Sequence, residues 1–103
     1  MIQFGGFILD SKQTRLLYQG QELAIDPKLF ELLVIFVNQP NIIISRDYIL
    51  DHLWSGSIVT DNAINKLIAN LRKVLSDDPK QPQYIQTIPK RGYRFICEVT
   101  LVE

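Results

Sequence analysis

The sequence predicts one α+β domain: a four-stranded antiparallel sheet, then three helices, then a closing β-hairpin. Three observations carry that expectation. Short apolar or alternating runs punctuated by turn residues fill residues 1–25. Three cap-and-staple signatures open three helical periodicities between residues 26 and 75. Two strand-like runs over residues 84–99 flank Pro89-Lys90-Arg91-Gly92. With 103 residues and 47% hydrophobic content, the chain has apolar matter for one core and too little length for two.

The four leading strands are expected at Ile2–Phe4, Phe7–Leu9, Arg15–Tyr18 and Glu22–Ala24. Gly5-Gly6, Asp10-Ser11 and Gln19-Gly20 separate them, and Gly20 suits the positive φ of a tight hairpin turn. Asp26 before Pro27 opens the first helix, Ser45 the second and Thr60 the third. Apolar pairs sit at the matching staple positions: Ile25 with Phe30, Ile44 with Ile49, Val59 with Ile64. The first helix, Pro27 to about Val37, is apolar almost all round and is expected at the centre of the core. Asn38, Pro40 and Asn41 stop it, and Ile42–Ile44 has the composition of a short strand. The second helix runs from Arg46 to about Trp54. The third runs from Asp61 to about Leu75, with an apolar stripe of Ile64, Leu67, Ile68, Leu71 and Leu75. Phe30, Leu33, Ile49, Leu67, Ile68 and Leu71 are expected to be buried together. Tyr84–Ile88 and Tyr93–Cys97 form the closing hairpin.

Net charge is zero, but the charges are segregated. Residues 1–59 carry a balance of −2; residues 62–94 hold Lys66, Arg72, Lys73, Lys80, Lys90, Arg91 and Arg94 against Asp77 and Asp78, a balance of +5. Phosphate binding requires a local positive patch, not a positive total. The single cysteine, Cys97, excludes an intramolecular disulfide and reads as a small core residue, which is compatible with a reducing compartment without establishing one. No basic stretch followed by an apolar run marks a secretory signal at the N-terminus. The longest uncharged run, Leu32 to Ser45, is interrupted by Asn38-Gln39-Pro40-Asn41 and cannot span a bilayer.

The third helix carries the functional signal. Opposite its apolar stripe lie Asn62, Asn65, Lys66, Ala69 and Lys73, with Asn70 and Arg72 on the flanks. A major groove admits one α-helix and shows it donors, acceptors and thymine methyls. Asparagine matches an adenine edge, lysine meets guanine acceptors or phosphate, and alanine permits close approach. Any solvated helix face also carries Asn and Lys. The hairpin adds weight: Lys90, Arg91 and Arg94 cluster at its turn, with no acid between Lys80 and Ile96. A basic β-tip is suited to a minor groove or to phosphates, although a soluble turn has the same composition. A polar helix and a basic wing joined through one core are more specific together than either alone.

The string DNAINKLIANLRKVLSDDPKQPQYIQTIPKRGYRF, Asp61 to Phe95, resembles the C-terminal half of the OmpR/PhoB-type winged-helix domain. LRK ends the recognition helix of that family, and a GYRF-like segment returns from its wing. SRDYILDHLW, Ser45 to Trp54, is similar to its second helix, and PKRGY with SIVTDN resembles most the ToxR/CadC-like regulators. The implied fold is a winged helix-turn-helix spanning 1–103, with the N-terminal sheet at 1–25, the three-helix core at 26–75 and the wing hairpin at 84–99. The implied function is sequence-specific binding of double-stranded DNA in bacterial transcription regulation, with helix 61–75 in the major groove and wing 89–92 at the minor groove or phosphates. By that resemblance Asn62, Asn65, Lys66, Ala69 and Asn70 face bases or backbone. Arg72 and Lys73 form the basic end of the helix, and Lys90 and Arg91, with Arg94 beside them, the wing tip. Trp54 matches a phosphate-contacting tryptophan; capping the core edge is its other reading. Many relatives carry arginines where this chain has Ala69 and Asn70, which implies fewer phosphate contacts and a weakly binding isolated domain. The family binds as homodimers on tandem or inverted half-sites. Ser55–Val59 matches a loop that touches RNA polymerase in some relatives, where an ordinary connector is the simpler reading.

No receiver domain precedes the domain if Met1 is native, so control is expected from beyond Glu103. In ToxR/CadC-like proteins a transmembrane helix and periplasmic sensor follow, which implies a cytoplasmic domain of a membrane-tethered activator. No enzyme, cofactor or metal is expected. His52 is the only histidine, and a triad or metal site requires partners at suitable spacing. Asp77-Asp78-Pro79 reads as a turn and not a catalytic pair, and the five glycines form no phosphate-cradling loop. The alternative is a winged-helix module that binds protein and not DNA.

Overall fold

The computed structural model describes residues 1–54 and 59–102. In chain order the elements are β1 (Ile2–Phe4), β2 (Phe7–Asp10), β3 (Arg15–Tyr18), β4 (Gln21–Leu23), α1 (Pro27–Asn38), β5 (Ile43–Ile44), α2 (Arg46–Leu53), α3 (Asp61–Leu75), β6 (Ile85–Ile88), β7 (Gly92–Phe95) and β8 (Thr100–Leu101).

The leading strands form an antiparallel meander, as their alternation predicts. The β3–β4 turn places Gln19 at φ +50° and Gly20 at +84°, so Gly20 has the conformation expected of it. The sheet has five strands and not four: β8 returns to pair with β1, giving the order β4-β3-β2-β1-β8. Two residues have no periodicity to read, so β8 has no sequence signature. The ladder continues past it, because the Met1 ammonium donates to the Val102 carbonyl and the Val102 N–H to the Met1 carbonyl (3.0 and 2.8 Å).

The wing also gains a strand. Ile43–Ile44 pairs with β7 through Ile43↔Arg94 and Ile44↔Tyr93, which makes a three-stranded sheet in the order β5-β7-β6. The hairpin is therefore stitched to the start of α2. Gly92 makes the stitch: at φ +142° it lies so close to β5 that a β-carbon would fall 2.1 Å from the Ile44 carbonyl oxygen. Glycine alone combines that φ with that approach.

Of the three caps, one is closed by a side chain. The Ser45 hydroxyl accepts from the Tyr48 N–H at 3.0 Å. Asp26 and Thr60 take extended cap geometry without a side-chain hydrogen bond, so their helices start by backbone conformation and, in α1, by Pro27. At its other end α3 closes on Ser76 in the left-handed region, with the Asp77 N–H reaching back to the Arg72 carbonyl at 2.8 Å. The Asp77 carboxylate then accepts from the backbone N–H groups of Gln83, Tyr84 and Ile85 (2.7, 3.3 and 2.9 Å). This turn aims β6 back along the molecule.

The core lies where α1, α2 and α3 meet both sheets. Phe30, Leu33, Ile49, Ile68 and Leu71 are buried together as expected, while Leu67 is half-buried at the core edge. Phe95 stands edge-on to Phe4 of the first sheet (5.3 Å) and stacks on Phe36 of α1 (6.1 Å), so one aromatic joins wing, sheet and helix. Cys97 is half-buried against this core. Burial, together with the nearby Glu98 and Asp77 charges, pushes its thiol up despite a hydrogen bond from the Gly5 backbone. Among the described residues no helix is long and apolar enough to cross a membrane.

Candidate nucleic-acid interface

α3 separates its residues by face as its periodicity requires. Ile64, Ile68, Leu71 and Leu75 are buried, and Asn62, Asn65, Lys66, Ala69, Asn70 and Lys73 are exposed. Thr60, Asn62, Ala63, Asn65 and Lys66 line an open recess at the start of the helix. Polar groups thus crowd its first turns, where a helix entering a groove comes nearest to base edges.

The wing tip is a tight turn. The Arg91 N–H closes on the Ile88 carbonyl at 3.0 Å, and Pro89 and Lys90 occupy the two central positions. Lys90 has φ +67°, so the turn is of type II with lysine where glycine is usual. Lys90 and Arg91 are both exposed. Along β7, Tyr93 and Phe95 point into the core and Arg94 to the other face, a strand's period of two.

Two arginines lash the helix to the wing. Arg72 donates through Nη2 to the Ile85 carbonyl (3.0 Å) and to Thr87 Oγ1 (2.9 Å), both on β6. Its Nε is buried without a hydrogen-bond partner among the described residues, so the guanidinium is wedged between helix and strand and not extended into solvent. From the first turn of α2, Arg46 Nη1 donates to Asn65 Oδ1 on α3 (3.1 Å) and to the Tyr93 hydroxyl on β7 (2.7 Å). Periodicity gives Arg46 no role, because these two partners are 19 and 47 positions away. Its one clue is its place directly after the Ser45 cap.

Arg94 is half-buried, and its Nε and Nη2 both donate to Gln86 Oε1 on the paired strand (3.2 and 3.0 Å). Trp54 ends α2 half-buried against the core, with the Lys28 ammonium 4.9 Å above its ring while that ammonium donates to the Leu53 carbonyl at 2.6 Å. The structure therefore leaves the α3 face and the wing tip exposed, ties α3 to β6 through Arg72, and gives Arg72 and Arg94 partners within the protein. Of the loop matched to a polymerase contact, residues 55–58 lie outside the described residues.

Residues 20–95 match the family of transcriptional regulatory protein C-terminal domains. The chain belongs to this OmpR/PhoB-type family. As a member, it is 35% identical over 96% of its length to the transcriptional activator CadC of Escherichia coli and 42% identical over 70% to the cholera toxin transcriptional activator of Vibrio cholerae. It spans 20% and 25% of those two proteins. Among solved structures, this winged-helix domain superposes on the DNA-binding domain of E. coli CadC with a TM-score of 0.84, at 33% identity, covering 98% of this chain and 95% of that one. The Klebsiella pneumoniae RstA DNA-binding domain, solved with its RstA box, superposes with a TM-score of 0.81 at 26% identity, covering 91% and 94%.

Proposed function

We infer that this chain is the DNA-reading domain of a transcription regulator, binding double-stranded DNA sequence-specifically. α3 lies in the major groove with Asn62, Asn65, Lys66, Ala69 and Asn70 towards base edges, and Lys73, two turns on, against phosphate. Lys90 and Arg91 reach the adjacent minor groove or its phosphates. The observation that supports this best is the Arg72 tie, which holds an exposed Asn/Lys helix face and an exposed basic turn as one unit. Arg94 contributes positive potential beside the tip while bound to Gln86. Trp54 keeps the end of α2 in place and reaches a phosphate only through its exposed edge.

In the whole protein, membrane tethering beyond Glu103, a cytoplasmic location of this domain, homodimers on tandem or inverted half-sites and a polymerase contact through 55–59 complete the reading. The likeness to a transcriptional activator and to its DNA-binding domain supports the DNA-reading part of this reading, and the rest follows from the resemblance to ToxR/CadC-like regulators. The test is duplex affinity as a function of salt. Binding is expected to weaken with a log–log slope of roughly −0.9 per phosphate neutralised, and Lys73→Ala to flatten the slope by about one unit. No binding at low salt, or binding indifferent to salt, would leave a protein-binding module as the function.

A further inference from the structure

We propose that Arg46 is a positioning residue for base reading: it turns the Asn65 carboxamide oxygen inward, so that α3 presents an N–H donor there and reads guanine in preference to adenine. The inference rests on the DNA-reading role of α3 given above.

Arginine has donors only, so the Asn65 atom 3.1 Å from its Nη1 is the oxygen. Rotating the amide by half a turn would set its NH2 against the guanidinium, two donors face to face. The guanidinium cannot follow Asn65 outward, because it is held at 2.7 Å by the Tyr93 hydroxyl. Tyr93 is itself fixed: its ring is buried and its backbone pairs with Ile44. Ser45, the next residue, caps α2 and sets where Arg46 begins. A chain of fixed groups thus runs from wing strand to helix cap to recognition helix.

Bidentate pairing with adenine uses both halves of a carboxamide, the oxygen accepting from N6 and the nitrogen donating to N7. Here a guanidinium takes one of the oxygen's two lone pairs and sets the plane of the carboxamide, whose NH2 lies on the side away from that contact in an exposed residue. Guanine offers two acceptors, N7 and O6, in the major groove. A carboxamide held by its oxygen to a cation presents its NH2, which finds two acceptors on guanine and one, beside a competing N6 donor, on adenine.

The experiment is binding-site selection on duplex DNA with the parent chain, Asn65→Ala, Arg46→Met and Tyr93→Phe, each checked for fold by circular dichroism. The parent is expected to prefer guanine at one position, and Asn65→Ala to relax that position by about 2- to 10-fold. Arg46→Met frees the carboxamide, so the same position shifts towards adenine while the rest of the site is unchanged. Tyr93→Phe keeps the buried ring and is expected to shift it in the same direction, more weakly; it carries the test if Arg46→Met does not fold. Equal weakening of all sites by Arg46→Met, with guanine retained, overturns the proposal, since a phosphate anchor or a purely structural tie behaves that way. If Asn65→Ala changes no base position while binding stays sequence-specific, the proposal falls and the DNA-reading function stands. Loss of salt-dependent binding by the parent would sink both.

Discussion

Lys90 stands in the left-handed region at φ +67°, where an L side chain is disfavoured by roughly 1–2 kcal/mol. The turn keeps it even though glycine would remove the strain. A cation at the tip of the wing is a reason to retain it, and the trade is measurable. Lys90→Gly is expected to raise the unfolding free energy by up to about 1 kcal/mol, since glycine relieves the strain but loses more chain entropy on folding. The same variant should weaken duplex binding and flatten its salt slope by about one unit. Urea titration and salt-dependent binding check the two halves, and a variant that is neither stabilised nor weaker would remove the functional reason for the strain. At this scale the sequence was legible for exposure and poor for partners. The helical period assigned Asn62, Asn65, Lys66, Ala69, Asn70 and Lys73 to the solvent face correctly. It could not tell that Arg72 would bond to β6, because that bond depends on how the helix and the strand dock, while the Arg94–Gln86 pair follows from the register of the hairpin.

The wing is an element with three strands, and its third strand decides how it behaves. A free two-stranded hairpin is marginal in water. Here β5 flanks β7 and continues directly into α2, so the tip is carried by a sheet anchored in the core. Gly92→Ala tests that anchoring. Its φ alone is expected to cost about 1–3 kcal/mol, and the β-carbon at 2.1 Å from the Ile44 carbonyl would further force β5 and β7 apart. Denaturant unfolding measures the loss, and a change below about 0.5 kcal/mol would show that the close approach is not essential. Elements with a long period were read well: α3 spans Asp61–Leu75, as its stripe and its staple predicted. Strand ends moved by one or two residues, as with Gln21–Leu23 in place of Glu22–Ala24, because a strand's ends are set by its partner and not by its own pattern. The Asp26 and Thr60 caps marked helix starts correctly while supplying no side-chain bond, so cap position was legible and cap chemistry was not.

In the whole molecule a formal charge of zero coexists with a basic segment, because positive groups collect in the residues that build α3 and the wing. That segregation was plain in the sequence. Closure of the first sheet was not, since β8 is two residues long and follows the last recognisable strand by four. Its pairing with β1 has a kinetic consequence. Met1 and Val102 are 101 positions apart, so the contact closes a loop of nearly the full chain. Loop-closure entropy sets such a contact late, after the local meander and helices have formed. A contact absent from the transition state slows unfolding without speeding folding. Removing residues 100–103 is therefore expected to accelerate unfolding in stopped-flow denaturant jumps and leave the refolding arm of the chevron almost unmoved. A matching drop in the refolding rate would instead place this seam in the folding nucleus. On this view β8 acts as a latch, setting how long the folded domain persists and not how quickly it is reached.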